Sequence, residues 1–139
     1  LRSRLQKVVS EHEIQAVIKI EDGSDTEIAS AIAGADMFIN TSDREAMPLS
    51  VLEGLAGGLP LMGDKHVLSE LLGPQWGVDC SGWAYSRIIR SVEEIWSDKI
   101  RYQMLSQAAR ECAVRYDFRI TADAYEKHLW EIASMTNIE

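Results

Sequence analysis

Ala35-Asp-Met-Phe-Ile-Asn-Thr-Ser-Asp-Arg-Glu-Ala-Met-Pro-Leu-Ser-Val-Leu-Glu-Gly-Leu-Ala-Gly-Gly-Leu-Pro-Leu-Met-Gly63 sets the architecture of this chain. The run 35–40 is nearly all apolar at its centre and reads as a strand buried on both faces. A polar loop, Thr41 to Met47, leads to Pro48, a residue favoured at the first position of a helix. Leu49, Leu52, Leu55 and Ala56 then recur at helical spacing, and Gly57-Gly58 ends the helix. Leu59 to Met62 is a further short strand, closed by Gly63-Asp64.

The same alternation extends in both directions. Upstream, Gln15 to Ile20 reads as a strand ending in a Glu-Asp-Gly turn, and Ser24-Asp-Thr-Glu27 has the capping-box pattern that opens a helix. Downstream, Val67 to Leu72 predicts a brief helix and Gly77 to Cys80 a minor strand. After that the chain turns helical. Ile88, Ile89, Val92, Ile95 and Trp96 mark one helix; Ile100, Met104, Leu105, Ala108 and Cys112 mark a second. Ala122, Tyr125, Leu129 and Ile132 mark a third, opened by Asp117 or Thr121. Short apolar strands alternating with helices predict an α/β fold: a Rossmann-like parallel sheet with helices on both faces and a helical C-terminal tail. Residues 1–139 fit one such domain. Three or four strands make a thin sheet, so the first strands are expected to be missing, and Leu1 in place of Met reads as a processing, cloning or proteolytic boundary.

Composition narrows the function classes. The net charge of −8 argues against a nucleic-acid partner, because backbone binding needs a basic surface. It leaves room for a phosphorylated ligand, which needs only a few local donors. No apolar run approaches a membrane span, and no signal-peptide pattern opens the chain. Cys80 and Cys112 show no metal-ligand spacing and read as reduced, buried cysteines, so the chain is expected to be cytoplasmic. There is no G-x-G-x-x-G, P-loop or nucleophile elbow. His12, His66 and His128 are scattered, and the tryptophans Trp76, Trp83, Trp96 and Trp130 read as packing residues rather than a sugar-stacking platform.

Ligands of open parallel sheets collect at the carboxyl ends of the strands. Two loops qualify there, Thr41 to Pro48 and Gly63 to His66. The first carries Ser42, Asp43, Arg44 and Glu45 before a helix N-terminus, whose free amides and positive dipole suit a phosphate. Pro48 removes one donor and leaves the amides of Leu49 and Ser50. Glu45 in the loop and Glu53 on the helix behind it are acceptor-only groups suited to sugar hydroxyls. Their spacing alone selects nothing, because it also joins Glu13 to Glu21 and Glu131 to Glu139. What marks this pair is the order strand, loop, proline, helix, Gly-Gly, strand.

In that order the stretch from Asp36 to Gly63 resembles the signature of the family 4 (group 1) retaining glycosyltransferases, with Ala56-Gly-Gly-Leu-Pro60 matching its A-x-G-x-P element. His66 to Glu70 stands where the family often has a Gly-Gly-x-x-Glu turn. Gly77, the helix ending at Asp98, Ala108-Ala-Arg110 and Tyr116-Asp-Phe118 continue the similarity over roughly residues 14 to 130.

The resemblance implies the C-terminal, donor-binding domain of the two-domain GT-B fold. It implies transfer of a sugar from a nucleotide-diphosphate sugar to an acceptor hydroxyl with retention, without a metal or other cofactor. Glu45 would meet the donor sugar at the reacting centre, Glu53 the ribose hydroxyls, and the backbone around Ala46, Met47, Pro48, Leu49 and Ser50 the diphosphate. The family often has glycine at the positions of Ala46 and Pro48. Its cationic leaving-group pair falls before Leu1, as does the acceptor-binding domain, so the chain alone is expected to be inactive. Membrane association of the parent protein stays open, as do two alternatives: a nucleotide-sugar epimerase of the same architecture and a non-catalytic binding or assembly module.

Overall fold

A computed structural model describes residues 2–11, 23–66, 68, 71 and 77–136. By internal contacts the chain divides into two compact units, Leu1–Ala31 and Ile32–Glu139. The first contains α1 (Arg2–Glu11) and most of α2 (Asp25–Ala33). The sequence pattern gave no helix at 2–11; Lys7 and Glu11, one turn apart and 3.6 Å from each other, are its local support. The capping box at the start of α2 forms, with the amide and hydroxyl of Ser24 donating to the Glu27 carboxylate at 2.8 and 2.7 Å. The strand expected over Gln15 to Ile20 lies outside the described residues.

The second unit is a three-stranded parallel sheet with the order β1 (Phe38–Ile39), β2 (Leu61–Gly63), β3 (Gly77–Asp79). Phe38 pairs with Leu61 and Met62 with Val78. The expected strands shorten at their amino ends for local reasons. The bend at exposed Asp36 delays β1, and Pro60 has no N–H to give β2, although its carbonyl accepts from Phe38 at 3.0 Å.

Four helices follow the strands: α3 (Leu49–Ala56), α4 (Tyr85–Ser97), α5 (Lys99–Val114) and α6 (Phe118–Thr136). The first three bury both faces of the sheet. Successive residues of a strand point oppositely, and Leu61 and Met62 accordingly enter different cores. Leu61 packs with Val51 and Leu55 of α3, Leu68, Leu71, and Ala109 and Cys112 of α5. Met62 packs with Ile95 of α4 and Leu105 of α5. Thus α5 serves one face with its first half and the other with its second.

The segment linking α3 to β2 is tightly determined. The amide of Gly58 donates to Leu55 O and that of Leu59 to Gly54 O, both at 2.9 Å, which is the Schellman pattern. That pattern needs a left-handed residue, and Gly58 has φ +77°. Gly54 serves a different need: a Cβ there would lie 2.7 Å from the Phe38 ring, so its absence lets α3 lie directly on β1.

Two expectations fail on burial. Helix α6 forms, with Asp117 accepting from the Arg119 amide at 2.9 Å at its start. Yet the described side chains from 118 to 135 are all exposed, including the predicted stripe Tyr125, Leu129 and Ile132. The tryptophans also divide. Trp96 and Trp130 are 61% and 68% exposed, so neither is a packing residue among the described residues, whereas Trp83 is half-buried beneath Arg87, whose guanidinium carbon stands 4.0 Å from the ring centroid. Trp76 and His12 lie outside the described residues.

Candidate functional site

Parallel pairing of all three strands sends the segments after β1, β2 and β3 to one edge of the sheet. The loop 41–48 and the turn after Gly63 are therefore neighbours: Asn40 Cβ lies 3.6 Å from where a Cβ on Gly63 would stand. Asn40 anchors the first loop. Its amide donates to Met62 O at 2.9 Å and its side-chain oxygen accepts from the half-buried Ser42 amide at 3.0 Å.

Beyond Ser42 the loop opens to solvent. Asp43, Arg44, Glu45, Ala46 and Met47 are exposed, while Pro48 is buried. Pro48 is the residue before α3 rather than its first member. Its carbonyl accepts from the amides of Val51 at 3.0 Å and Leu52 at 3.3 Å. The amides of Leu49 and Ser50 stand ahead of this first helical bond, at the positive end of the α3 dipole, and both residues are exposed. No side chain caps α3. A solvent-facing helix end with spare amides can accept an anion.

Glu53 lies in the second turn of α3 and is exposed. It lines a groove of about 470 Å³ between α3 and the end of α5, with Leu52, Ala56, Arg110, Tyr116 and Asp117 among its walls. The loop residues 42–50, Glu45 included, do not line this groove. The two carboxylates thus share the β1–α3 unit, one on its loop and one on its helix. Arg110 is held at the groove floor, donating to Gly57 O at 3.2 Å and to Ser106 Oγ at 3.1 Å. Asp117 accepts from Arg119 Nε with both its oxygens, from Nη2 and from the Arg119 amide, which holds its carboxyl down at about 2.

The turn after β2 carries a polar network that the sequence reading did not single out. Ser81, just past β3, donates its hydroxyl toward Asp79 and toward Asp64 Oδ1, the latter at 3.0 Å. The Lys65 amide is shared between Ser81 Oγ at 3.1 Å and Asp79 Oδ1 at 3.3 Å, and the His66 amide donates to Asp64 Oδ1 at 2.7 Å. Lys65 Nζ lies 3.5 Å from Asp79 Oδ2. Hydrogen bonds from the Ser81 side chain and amide pull the Asp79 carboxyl down to about 2. The His66 amide acts likewise on Asp64. The amides of Lys65 and His66 are thereby committed to the protein's own carboxylates, and His66 offers its exposed ring instead. Strand ends on one edge were legible in the sequence; that Asp64, Asp79 and Ser81 would meet there depends on strand order.

The cysteines are both free thiols, with Cys112 buried and Cys80 half-buried, and burial raises both. No described helix is long and apolar enough to cross a membrane.

This is the α/β architecture of a partial GT-B domain, and solved structures share it. The chain superposes on sucrose-phosphate synthase from Thermosynechococcus elongatus with TM-score 0.82 at 14% identity, over 96% of this chain and 34% of that one. The pneumococcal O-GlcNAc transferase GtfA, solved with UDP and GlcNAc, gives 0.76 at 14% identity over 94% and 27%. The C-terminal domain of a glycosyl transferase group 1 family protein (LpcC) from Francisella tularensis gives 0.64 at 17% identity over 82% and 60%. The chain therefore spans about a third of the first and about a quarter of the second in length. No protein-family model and no curated protein matches the sequence.

Proposed function

We propose that this chain is the nucleotide-sugar-binding half of a retaining glycosyltransferase, acting with an acceptor-binding domain of the same longer protein. The reading rests on one arrangement. The β1–loop–α3 unit, followed by a Gly-Gly turn and β2, carries an exposed loop carboxylate, Glu45, a helix carboxylate, Glu53, and an uncapped helix end between them. The likeness to solved glycosyltransferases supports it.

In this scheme the diphosphate of the donor meets the amides of Leu49 and Ser50, with Ser42 and the backbone of Ala46 to Pro48 around it. Glu53 accepts hydrogen bonds from the ribose hydroxyls, and Glu45 faces the sugar. As the bond from the anomeric carbon to the diphosphate oxygen breaks, positive charge grows on the ring, and Glu45 with the fixed dipoles stabilises it. The acceptor hydroxyl then attacks from the face the diphosphate leaves and passes its proton to the departing diphosphate oxygen, which retains the configuration. The nucleotide sugar is the donor substrate, and no resident cofactor is required. On this reading the enzyme works in the cytoplasm.

Calorimetric titration of the longer protein with nucleoside diphosphate sugars tests this. Micromolar binding to one of them is expected, with at best millimolar binding by the 139 residues alone. Absence of binding by the longer protein to every such donor, or a product of inverted configuration, would refute the assignment.

A further inference from the structure

We propose a second small-molecule site at the amino edge of the sheet, formed by Asp36, Trp96, Lys99, Tyr102 and Gln103, which takes a pyranose ring by stacking and hydrogen bonding. These five residues line a pocket of about 360 Å³, within the range of ligand sites, roughly 300–1,000 Å³. Its place follows from the topology. Asp36 lies just before β1, and α4 starts after the carboxyl end of β3 and runs back, so Trp96 in its last turn returns to the opposite edge from Glu45. The site thus goes beyond the donor reading and does not rest on it.

The pocket is built on rigid parts. Only Asp98 separates α4 from α5, and its carboxylate accepts from the Arg101 amide at 3.0 Å, fixing the corner. Lys99, Tyr102 and Gln103 stand at i, i+3 and i+4, on one face of α5. Tyr102 packs against the core of Met62, Ile95 and Leu105, which sets the floor. Trp96 also lines the pocket and is exposed, outside the core that its helix packs into.

The chemistry selects the ligand. Among the described residues, no side chain of the five takes a hydrogen bond or ion pair within the chain. A carboxylate, an ammonium, a primary amide, a phenol and an indole N–H thus converge with their capacity unspent. One acid and one base balance, so the pocket offers no net charge to a phosphate. A carboxylate beside an amide suits neighbouring hydroxyls, which must each donate and accept. The negative face of the indole ring suits the partly positive C–H bonds of a sugar ring. A pyranose presents these two surfaces together.

The test follows the backbone amide and indole N–H resonances of this chain by NMR during titration with methyl glucosides, galactosides and N-acetylglucosaminides. Saturable shifts at the Trp96 indole and at residues 99–103 are expected for at least one, with a dissociation constant of about a millimolar. Trp96→Ala and Gln103→Ala should each weaken it at least several-fold; Gln103 is exposed on α5, so that variant keeps the fold. No saturable shift up to about 100 mM sugar would overturn the proposal. So would the same residues shifting with protein concentration alone, which would mark a contact between copies, or with uridine diphosphate, which would mark a nucleotide site. A failed donor titration, read at residues 41–50, would leave this result standing.

Discussion

Replacing Gly58 by alanine tests the joint that delivers the chain from α3 to β2, and the structure gives the cost in two parts. The first is conformational. Gly58 has φ +77°, and holding an L-residue in the left-handed region costs roughly 1–2 kcal/mol. The second is steric. The new Cβ would stand 2.3 Å from Arg110 Cζ and 2.6 Å from Nε and Nη2. The guanidinium must move away, giving up its bond to Gly57 O at 3.2 Å. That bond is exposed, so its loss costs about 0.5–1 kcal/mol. Urea unfolding followed by circular dichroism should therefore show Gly58→Ala less stable by about 1.5–3 kcal/mol with an unchanged slope. In an Arg110→Ala background only the conformational part remains, so the double mutant should be more stable than additivity predicts by about 0.5–1 kcal/mol. A loss below about 0.5 kcal/mol would refute the left-handed conformation, and a strictly additive cycle would refute the Arg110 contact.

Under the proposed function, Glu53→Ala in the longer protein should mainly weaken donor binding, by about ten- to a hundred-fold for a charged partner of two hydroxyls, while Glu45→Ala should mainly lower turnover; equal and negligible effects of both on transfer kinetics would remove these roles. Ser81→Ala should raise the Asp79 carboxyl from about 2 toward its ordinary value of 3.8, measurable by carboxyl NMR titration. A depressed carboxyl stabilises the fold in full above the ordinary value and ceases to as the pH falls through the folded one, so the variant, without that depression, should be less stable at neutral pH and lose less further stability between the ordinary value and about 2; an unmoved titration would dismiss Ser81 as the cause. Because burial raises both thiols and Cys112 is the more enclosed, a disulfide reagent at pH 8 should label Cys80 first and Cys112 only on unfolding, as read by mass spectrometry; prompt labelling of Cys112 would contradict its burial.

What the sequence made legible was the part governed by local rules. The helix after Pro48, the Gly-Gly stop and the capping box at Ser24 each arise from interactions within a few residues, and each forms as read. The three strands within the described residues were found but overextended, because an apolar run does not reveal that Asp36 bends out or that Pro60 lacks a donor. Burial was the least legible property. Tyr125, Leu129 and Ile132 carry a helical stripe, but periodicity names a face without naming what covers it, and in α6 these side chains stay exposed. Trp96 misled for the same reason: its helical phase matches Ile88 and Val92, yet it falls one step past the buried Ile95. The Asp64–Ser81–Asp79 network was invisible because its members lie 17 residues apart and meet only once β2 and β3 pair.

Those carboxylates bear on how a donor could be held at this edge. Asp64 and Asp79 are both depressed and stay ionised through the neutral range, and Asp43 and Glu45 add two more acidic side chains to the same edge. Against them stand Lys65, whose ammonium is already within 3.5 Å of Asp79, and Arg44 in the exposed loop. The turn after β2 is therefore a poor seat for a diphosphate but a fitting one for sugar hydroxyls, which take hydrogen bonds to carboxylates without charge repulsion. The uncapped end of α3 is the complementary half, supplying amides and a positive dipole with no acidic residue in its first turn. Under the proposed function, this charge pattern favours a donor lying across the edge, with phosphates toward Leu49 and Ser50 and the sugar toward Glu45, Asp64 and His66. Under the same reading, neutralising a departing diphosphate would take more positive charge than Arg44 and a paired Lys65 provide.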